Sequence, residues 1–262
     1  RDLYRAAFER LRPRLYACRC SRADIAAAQS APNEGDPELR YPGTCFGRTI
    51  DPAETVAWRL RVDPGPVEFP DACFGPQSID VAAGVGDFVA AKSPEQPAYQ
   101  LAVVADDLAQ GVTEVVRGDD LIPSTARQLL LLRALGAAPP VYGHVPLVVG
   151  PDGKRLAKRH GDARLSSLRS LGARPERIIG LLAESSGLGA GDARLAGLRG
   201  RWSWDRGTRE RLVLTPPLLA WQLRAVTRSL SRAECFRGRK PDCRCFAALP
   251  ASRSNARFAS PQ

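Results

Sequence analysis

The sequence predicts an α/β domain with a largely parallel sheet, because segments typical of strands alternate with segments typical of helices. The β-branched run "VTEVV" is followed by "RGDD" and then by a helical pattern that ends at Leu135, with Gly136 as its stop. Thr125 lies three residues before Gln128, which is a capping-box pattern for the start of that helix. The apolar segment "VYGHVPLVV" predicts the next strand. Two further helices are expected, near residues 162–171 and from Pro175 to Glu184.

The N-terminal part of the chain predicts one more helix and several strands. An amphipathic helix is expected over residues 2–16, where Phe8 and Leu11 lie near helical spacing and Pro13 weakens the last turn. The alternation in "TVAWRLRV" predicts a half-buried strand at residues 55–62. "GDFVAAKS" and "AYQLAVVADDL" are further candidate strands, and the turn "PEQP" separates them.

Length and composition are those of a folded protein, since 262 residues with 44% hydrophobic content can bury a sizeable core. The sequence has no run of 18 apolar residues, and "RDLYRAAFERLRPRLY" lacks the apolar centre of a secretory signal. We therefore expect a cytoplasmic protein. The sequence begins at Arg1 and contains no methionine, so we expect the start of the natural chain to be missing.

The net charge of +10 is unevenly distributed along the chain. Residues 1–189 hold 23 basic and 23 acidic side chains, whereas residues 190–262 hold 15 and 5. Only four of the 38 cations are lysines, which is more typical of an arginine-rich coding background than of a dedicated nucleic-acid surface. The pattern favours a solvated basic tail.

A cationic loop follows the strand "VYGHVPLVV" in the segment "GPDGKRLAKRHGD". Ligands of open α/β sheets bind outside the carboxyl ends of the strands, so Lys154, Lys158 and Arg159 are candidates to neutralise phosphate oxygens. A solvated basic turn is the alternative. His144 lies within the apolar strand, where a packed core residue is expected.

Three cysteines near the N-terminus have a spacing that suits a metal site. Cys18 and Cys20 form C-x-C, and Cys45 follows after a polar loop that cannot stabilise itself by burial. A thiolate-bound zinc would stabilise such a loop, and three reduced thiols are the alternative. A second C-x-C at Cys243 and Cys245 lies in the basic tail.

Two ordered stretches, "VVRGDDLIPSTARQLLLLRALG" and "YGHVPLVVGPDGKRLAKRHG", resemble the class I aminoacyl-tRNA synthetases that handle glutamate, and within them the glutamyl-Q tRNA(Asp) synthetase family. "RLAKR" resembles the KMSKS-type signature of that class. The resemblance implies a partial Rossmann-type parallel-sheet catalytic domain with a small zinc-bearing insertion and a helical C-terminal part. It also implies that Arg155, Lys158 and Arg159 bind ATP, with Lys158 as the catalytic residue, and that magnesium accompanies the ATP.

The family's amino-acid and metal positions match four further places in this sequence. Tyr99 in "AYQLAVV" and Arg117 in "VVRGDD" match residues that hold glutamate, and a guanidinium at a strand end suits a carboxylate. An ion pair of Arg117 with Asp119 or Asp120 is the alternative. The family binds zinc through C-x-C and a later Y-x-x-x-C, so "YPGTC" adds Tyr41 and Cys45 to the ligands Cys18 and Cys20. A competing fourth ligand is the cysteine at position 73.

The resemblance implies the following organisation: 1–17, a catalytic-domain helix; 18–50, the zinc-binding insertion; 51–189, the catalytic domain; 190–216, a family-like C-terminal segment. Residues 217–262 do not share the resemblance, and their composition predicts a basic, disordered tail. The implied function is ATP-dependent activation of glutamate and its transfer to queuosine of tRNA(Asp), with glutamate, ATP and tRNA as partners of a monomer.

The family's HIGH-type motif is not found in the sequence, so we expect this chain alone not to catalyse adenylation. One alternative is a fragment of a discriminating glutamyl-tRNA synthetase. A second is a non-catalytic, zinc-stabilised RNA-binding module.

Overall fold

The computed structural model describes residues 1–27, 39–150, 152–153, 165–170, 172–188, 194–198, 203 and 209–213. The predictions for the basic loop at 154–160 and for the tail at 217–262 lie outside the described residues. No described helix is long and apolar enough to cross a membrane.

The described part of the chain contains both helices and strands. In order they are α1 (Asp2–Leu11), β1 (Leu15–Cys18), α2 (Arg22–Ala27), β2 (Ala57–Leu60), β3 (Val67–Asp71), β4 (Gly75–Ile79), α3 (Val81–Gly84), β5 (Phe88–Ser93), β6 (Gln96–Pro97), α4 (Tyr99–Gln110), β7 (Glu114–Gly118), α5 (Ile122–Ala134), β8 (Val141–Val145), β9 (Val148–Val149), α6 (Leu165–Ser170), α7 (Pro175–Ser185), α8 (Leu195–Leu198) and β10 (Leu212–Val213).

The larger strands form two four-stranded sheets. The first has the order β1-β2-β5-β6, and all of its pairs are antiparallel. The second has the order β4-β3-β8-β7, in which β8 runs parallel to both β3 and β7 while β4 is antiparallel to β3. The expected α/β class is correct, but the expectation of a largely parallel sheet is wrong for the first sheet. Parallel pairing is found where a helix crosses over, as in β7-α5-β8.

The main core lies where α1, α4 and α5 pack against the strands. Phe8, Leu60, Leu101 and Leu131 are completely or almost completely buried there. The ring of Phe8 meets Trp58 edge-on, with centroids 5.4 Å apart. A second, smaller cluster surrounds the cysteines near the N-terminus.

Helix α4 occupies the segment "AYQLAVVADDL", where the sequence pattern predicts a strand, so that prediction is wrong. The buried residues Leu101, Val104 and Ala105 follow the i, i+3, i+4 spacing of a helix rather than the period of a strand. The helix ends at Gly111, whose φ of 67° is the left-handed conformation common at helix ends. The turn before α4 is present and joins the hairpin β5-β6.

Several expected element boundaries also differ. α1 ends at Leu11, because Pro13 lies in a 3-10 turn, and the chain then enters β1 instead of continuing as a helix. β2 is buried on both faces, with Arg59 6% exposed, because it lies between β1 and β5. The start of α5 lies at Ile122, so Thr125 is inside the helix and does not cap it. Gly136, with φ of 64°, follows α5 as expected.

Candidate functional site

The parallel strands of the second sheet bring Arg117 to the carboxyl end of β7. In the β7-β8 register Arg117 is the partner of His144, and in the β3-β8 register Asp71 is the partner of Tyr142. Polar side chains from three neighbouring strands therefore meet at one sheet edge. This is the location where open α/β sheets place their ligands.

The guanidinium of Arg117 is held along one edge by neutral acceptors. Its Nε donates to His144 Nε2 at 3.1 Å. Its Nη2 donates to Thr125 Oγ1 at 2.7 Å and to Gln128 Oε1 at 2.8 Å. Of the two neighbouring aspartates that could pair with Arg117, Asp119 pairs with Arg211 at 2.9 Å instead. The negative charge of Asp120 raises the pKa of Arg117.

The remaining nitrogen of Arg117, Nη1, makes no hydrogen bond to any residue in the described part of the chain. A guanidinium has five N–H groups, and the three used ones leave the two on Nη1 for a ligand. Burial lowers the pKa of Arg117, and the nearby Tyr142, Tyr99 and Asp107 raise it. The side chain keeps its positive charge, since an arginine does not lose its proton in a protein.

Tyr99 stands at the start of α4 close enough to Arg117 to interact electrostatically, and it is 55% exposed. The two glutamate-site residues predicted from the sequence are therefore brought together, with Tyr99 open to solvent. The edge of the guanidinium formed by Nε and Nη2 is already used by His144, Thr125 and Gln128. A carboxylate would therefore bind at Nη1 alone.

A chain of amides connects this arginine to α4. Gln128 accepts from Arg117 and donates its Nε2 to Gln100 Oε1 at 3.0 Å. Gln100 in turn donates its Nε2 to Ser124 Oγ at 3.0 Å. The three accepting residues, Gln128, Gln100 and Ser124, are buried. Because Arg117 can only donate, it fixes the orientation of the Gln128 amide, and Gln128 in turn fixes that of Gln100.

His144 and Asp71 form a buried pair beneath Arg117. They are 0% and 3% exposed, and His144 Nδ1 lies 2.5 Å from Asp71 Oδ2. His144 is buried, as the sequence predicts, but it is part of a polar network and not an apolar packing residue. Burial raises the pKa of Asp71, but hydrogen bonds from the amide of Phe74 and from His144 outweigh it, so the pKa is lowered overall.

The sulfurs of Cys18, Cys20 and Cys45 converge, and all three lie within 4.8 Å of one another. The Sγ atoms of Cys20 and Cys45 are 3.5 Å apart. The Tyr41 hydroxyl oxygen accepts from the Cys45 amide at 2.8 Å and lies 3.6 Å from Cys18 Sγ. The four ligands predicted from the sequence are thus neighbours.

The donor set fits a tetrahedral metal ion. With Zn–S bonds of about 2.3 Å, adjacent ligand atoms of a tetrahedron are about 3.8 Å apart, close to the separations between these side chains. Burial raises the pKa of Cys45, but hydrogen bonds from the Arg19 amide, from Tyr41 and from the other thiols bring it to about 7. Burial and the contact with Cys45 raise the pKa of Cys20 to about 11.

Arg59 is a buried cation beside this cluster. Its Nε donates to Cys18 Sγ at 3.2 Å and its Nη1 donates to the Asp87 carbonyl at 2.8 Å. Its guanidinium carbon lies 3.7 Å from the centre of the Tyr41 ring. A negatively charged thiolate cluster would be the counterpart of this cation.

The competing ligand Cys73 is not near the other three cysteines. It is buried in the turn between β3 and β4, next to Asp71. Burial raises the pKa of the Cys73 thiol, and the negative charge of Asp71 raises it further. Lys154, Arg155, Lys158 and Arg159 lie outside the described residues. The tail cysteines also lie in the part of the chain that is not described.

Four further residues belong to these sites although no sequence motif contains them: Asp71, Gln128, Gln100 and Arg59. No local pattern marks Asp71, because its partner His144 is 73 residues away. A buried carboxylate needs several donors, and "PDACFG" supplies two of them through the amides of a tight turn.

Comparison with protein families identifies the region that contains the Arg117 site. Residues 47–189 match the family described as "tRNA synthetases class I (E and Q), catalytic domain", which is more than half of the chain. The chain belongs to this family. Tyr99, Arg117 and His144 lie inside the matched region of this class I synthetase, whereas the cysteines at 18, 20 and 45 precede it.

Relatives of this chain include proteins named Glutamyl-Q tRNA(Asp) synthetase. The one from Symbiobacterium thermophilum is 47% identical over 199 residues, covering 71% of this chain and 61% of the relative. The one from Geobacter sulfurreducens is 50% identical, covering 65% and 55%. The chain thus spans less than two thirds of the length of these relatives.

Solved structures share the fold of this chain. A glutamate-tRNA synthetase from Elizabethkingia anophelis superposes with a TM-score of 0.67 at 17% identity, covering 92% of this chain and 58% of the other. A glutamate tRNA ligase from Elizabethkingia meningosepticum, solved with its amino acid, gives 0.66 at 18% identity, covering 92% and 57%.

Proposed function

We propose that this class I synthetase chain carries the amino-acid site of an enzyme that activates glutamate with ATP and transfers it to queuosine of tRNA(Asp). The observation that carries the proposal is the guanidinium of Arg117, fixed by neutral acceptors at a sheet edge with the two N–H groups of Nη1 left for a ligand. The names of relatives at 47–50% identity support the acceptor.

In this proposal Arg117 binds a carboxylate of glutamate through Nη1, and Tyr99 lies beside it at the open side of the site. The three hydrogen bonds to Arg117 prevent the guanidinium from turning away to solvent. Orientation lowers the barrier, because the reacting carboxylate is held in one position before it attacks the α-phosphate. The reaction needs no covalent intermediate with the protein.

The phosphate side of the reaction falls to the loop after β9. Lys158, with Arg155 and Arg159, is proposed to bind the phosphates of magnesium-bound ATP and to neutralise the leaving pyrophosphate. Support comes from their sequence position, since the loop follows β9, and β9 comes directly after β8, the partner strand of β7. ATP is the expected substrate of a class I synthetase.

We further propose one structural zinc ion bound by Cys18, Cys20, Cys45 and Tyr41. Bound zinc contributes folding energy to a polar segment that buries little apolar surface. Residues 18–50 connect the adjacent strands β1 and β2, which supports an insertion into the catalytic domain rather than a separate domain.

Calorimetric titration of the chain with glutamate tests the amino-acid site. Arg117→Gln should weaken binding by roughly 30-fold or more, since losing one partner of a desolvated charge pair costs about 2–5 kcal/mol. Arg133→Gln is the matched control, because Arg133 lies on the exposed side of the last turn of α5. Equal affinities for the two variants would contradict the role of Arg117.

Transfer is tested with labelled glutamate, ATP and three tRNAs, on the chain and on a version lengthened to the size of its relatives. The proposal expects label on queuosine-containing tRNA(Asp) and none on tRNA(Asp) that lacks queuosine. Label on tRNA(Glu) would favour the discriminating glutamyl-tRNA synthetase instead. RNA binding without glutamate-dependent pyrophosphate exchange in either version would favour the RNA-binding module.

A further inference from the structure

Asp71 and His144 form a buried polar pair, and burying a carboxylate and an imidazole costs free energy that apolar side chains would not cost. The pair therefore calls for an explanation other than filling the core. They belong to the neighbouring strands β3 and β8, and neither is more than 3% exposed. The carboxylate accepts from the backbone amides of Cys73 at 3.0 Å and Phe74 at 2.8 Å, so its position is fixed before His144 is considered.

The hydrogen-bond directions define which imidazole nitrogen carries the proton. Arg117 Nε can only donate, so His144 Nε2, 3.1 Å away, must accept and carries no hydrogen. The single proton of a neutral imidazole is then on Nδ1, which lies 2.5 Å from Asp71 Oδ2. A carboxylate on Nδ1 is what selects this tautomer.

We propose that Asp71 and His144 are positioning residues, which hold Arg117 in its ligand-binding orientation by fixing the tautomer that presents Nε2 as an acceptor. Neither touches the ligand. The benefit is that the three groups that orient the guanidinium by hydrogen bonds, His144, Thr125 and Gln128, include no carboxylate, so the Nη1 edge keeps its positive charge for the substrate. The glutamate part rests on the proposed function, whereas the positioning of Arg117 can be tested without it.

Asp71→Asn separates this role from simple packing, because asparagine has the same shape. Its amide oxygen has to remain on the side where the Cys73 and Phe74 amides donate, so its NH2 group faces His144 Nδ1. Nδ1 must then accept, and the imidazole proton moves to Nε2. Two donors, His144 Nε2–H and Arg117 Nε–H, face each other, and the arginine is displaced.

Nitrogen NMR on the ring of His144 and on Arg117 Nε gives the first readout. The chain has only two histidines, so a His160→Gln variant identifies the His144 signals. We expect the proton on Nδ1 in the unsubstituted chain and on Nε2 in Asp71→Asn, with loss of the protected Arg117 Nε–H signal. A proton on Nε2 in the unsubstituted chain overturns the proposal, as does an unchanged Arg117 signal in Asp71→Asn.

Glutamate titration gives the second readout. Asp71→Asn should weaken binding by roughly 10- to 100-fold, the range expected when a hydrogen bond to a charged group is lost. In an Arg117→Gln background the same change should have no further effect, because Asp71 acts through the arginine. Additive losses overturn the proposal. If the unsubstituted chain binds no glutamate while both NMR expectations hold, the proposed function fails and the positioning role stands.

A second pair of variants keeps the test decisive if Asp71→Asn does not fold. His144→Gln and His144→Met have similar length, but only glutamine offers an oxygen to Arg117 Nε. We expect the Arg117 Nε–H signal to survive in the glutamine variant and to be lost in the methionine variant, with unfolding monitored for both. The same Arg117 signal in the two variants overturns the proposal.

Discussion

The effect of Arg59→Met on the free energy of unfolding should depend on whether zinc is bound, and it should have opposite signs in the two states. Arg59 is 6% exposed, and in the described part of the chain its guanidinium contacts no carboxylate. Burying an unpaired cation costs several kcal/mol, so in chelator-treated protein the methionine variant should be as stable as the parent or more stable. With zinc bound, the sulfur of Cys18 is a thiolate and the cation gains its partner.

The magnitude follows from the 3.2 Å between Arg59 Nε and Cys18 Sγ. At an effective dielectric constant of about 20 the attraction of two unit charges at this distance is about 5 kcal/mol, which is an upper limit. Hydrogen bonds to charged groups contribute about 1.5–3 kcal/mol net. We therefore expect zinc to bind Arg59→Met about 10- to 150-fold more weakly.

Competition with a coloured zinc chelator measures the affinity, and urea unfolding with and without zinc measures the stability difference. Arg61→Met is the matched control, because Arg61 follows the same strand and its side chain is 58% exposed. An equal loss of stability for Arg59→Met with zinc and with chelator would refute the electrostatic reasoning and leave only packing.

Three further outcomes follow from the structure. Gly86→Ala should lower the free energy of unfolding by about 3 kcal/mol or more, because φ is 73° and a Cβ would lie 2.4 Å from the Tyr41 carbonyl oxygen. Gly111→Ala should lower it by only about 1–2 kcal/mol, because φ is 67° but a Cβ would have nothing within 4 Å. Urea unfolding measures both. Phe8→Ala should lower the free energy of unfolding by about 3–5 kcal/mol, since Phe8 is 0% exposed. The lowered pKa of Asp71 stabilises the fold above the ordinary carboxyl pKa of roughly 4, and that contribution is lost as pH falls through the lower folded value. The stability gap to Asp71→Asn should therefore shrink on acidification.

Each of these outcomes can fail separately. Equal losses for the two glycine variants would mean that the approach to Tyr41 is not tight. A small loss at Phe8 would mean that the core collapses around the gap. A gap between the parent and Asp71→Asn that stays constant from pH 7 to pH 2 would contradict the lowered pKa of Asp71.

The elements that the sequence predicts best are those whose ends are marked by local chemistry. The unit from β7 through α5 to β8 is such a case, as are α7, which begins at Pro175, and the stop at Gly136. α4 was predicted as a strand, although its buried residues have the spacing of a helix and Gly111 ends it in the left-handed conformation. Antiparallel pairing of β1 with β2 joins residues about 40 positions apart, and no local pattern records it.

The site divides in the same way. Tyr99, Arg117 and the four metal-site residues belong to motifs, and the structure brings each group together as the resemblance implies, while their roles remain predictions. The supporting residues belong to no motif. Asp71, Gln128 and Arg59 are recognisable only when tertiary contacts show which buried group needs a partner.

The pairing of Arg117 with His144 across β7 and β8 limits where the chain can gain or lose residues. Side chains alternate between the two faces of a strand, so deleting one residue before Arg117 within β7 would turn the guanidinium to the opposite face. The connection at residues 137–140, between α5 and β8, is not part of a strand, so a change in its length does not reverse which face a side chain occupies. Natural length variation in this domain should therefore collect in that connection and avoid the two strands.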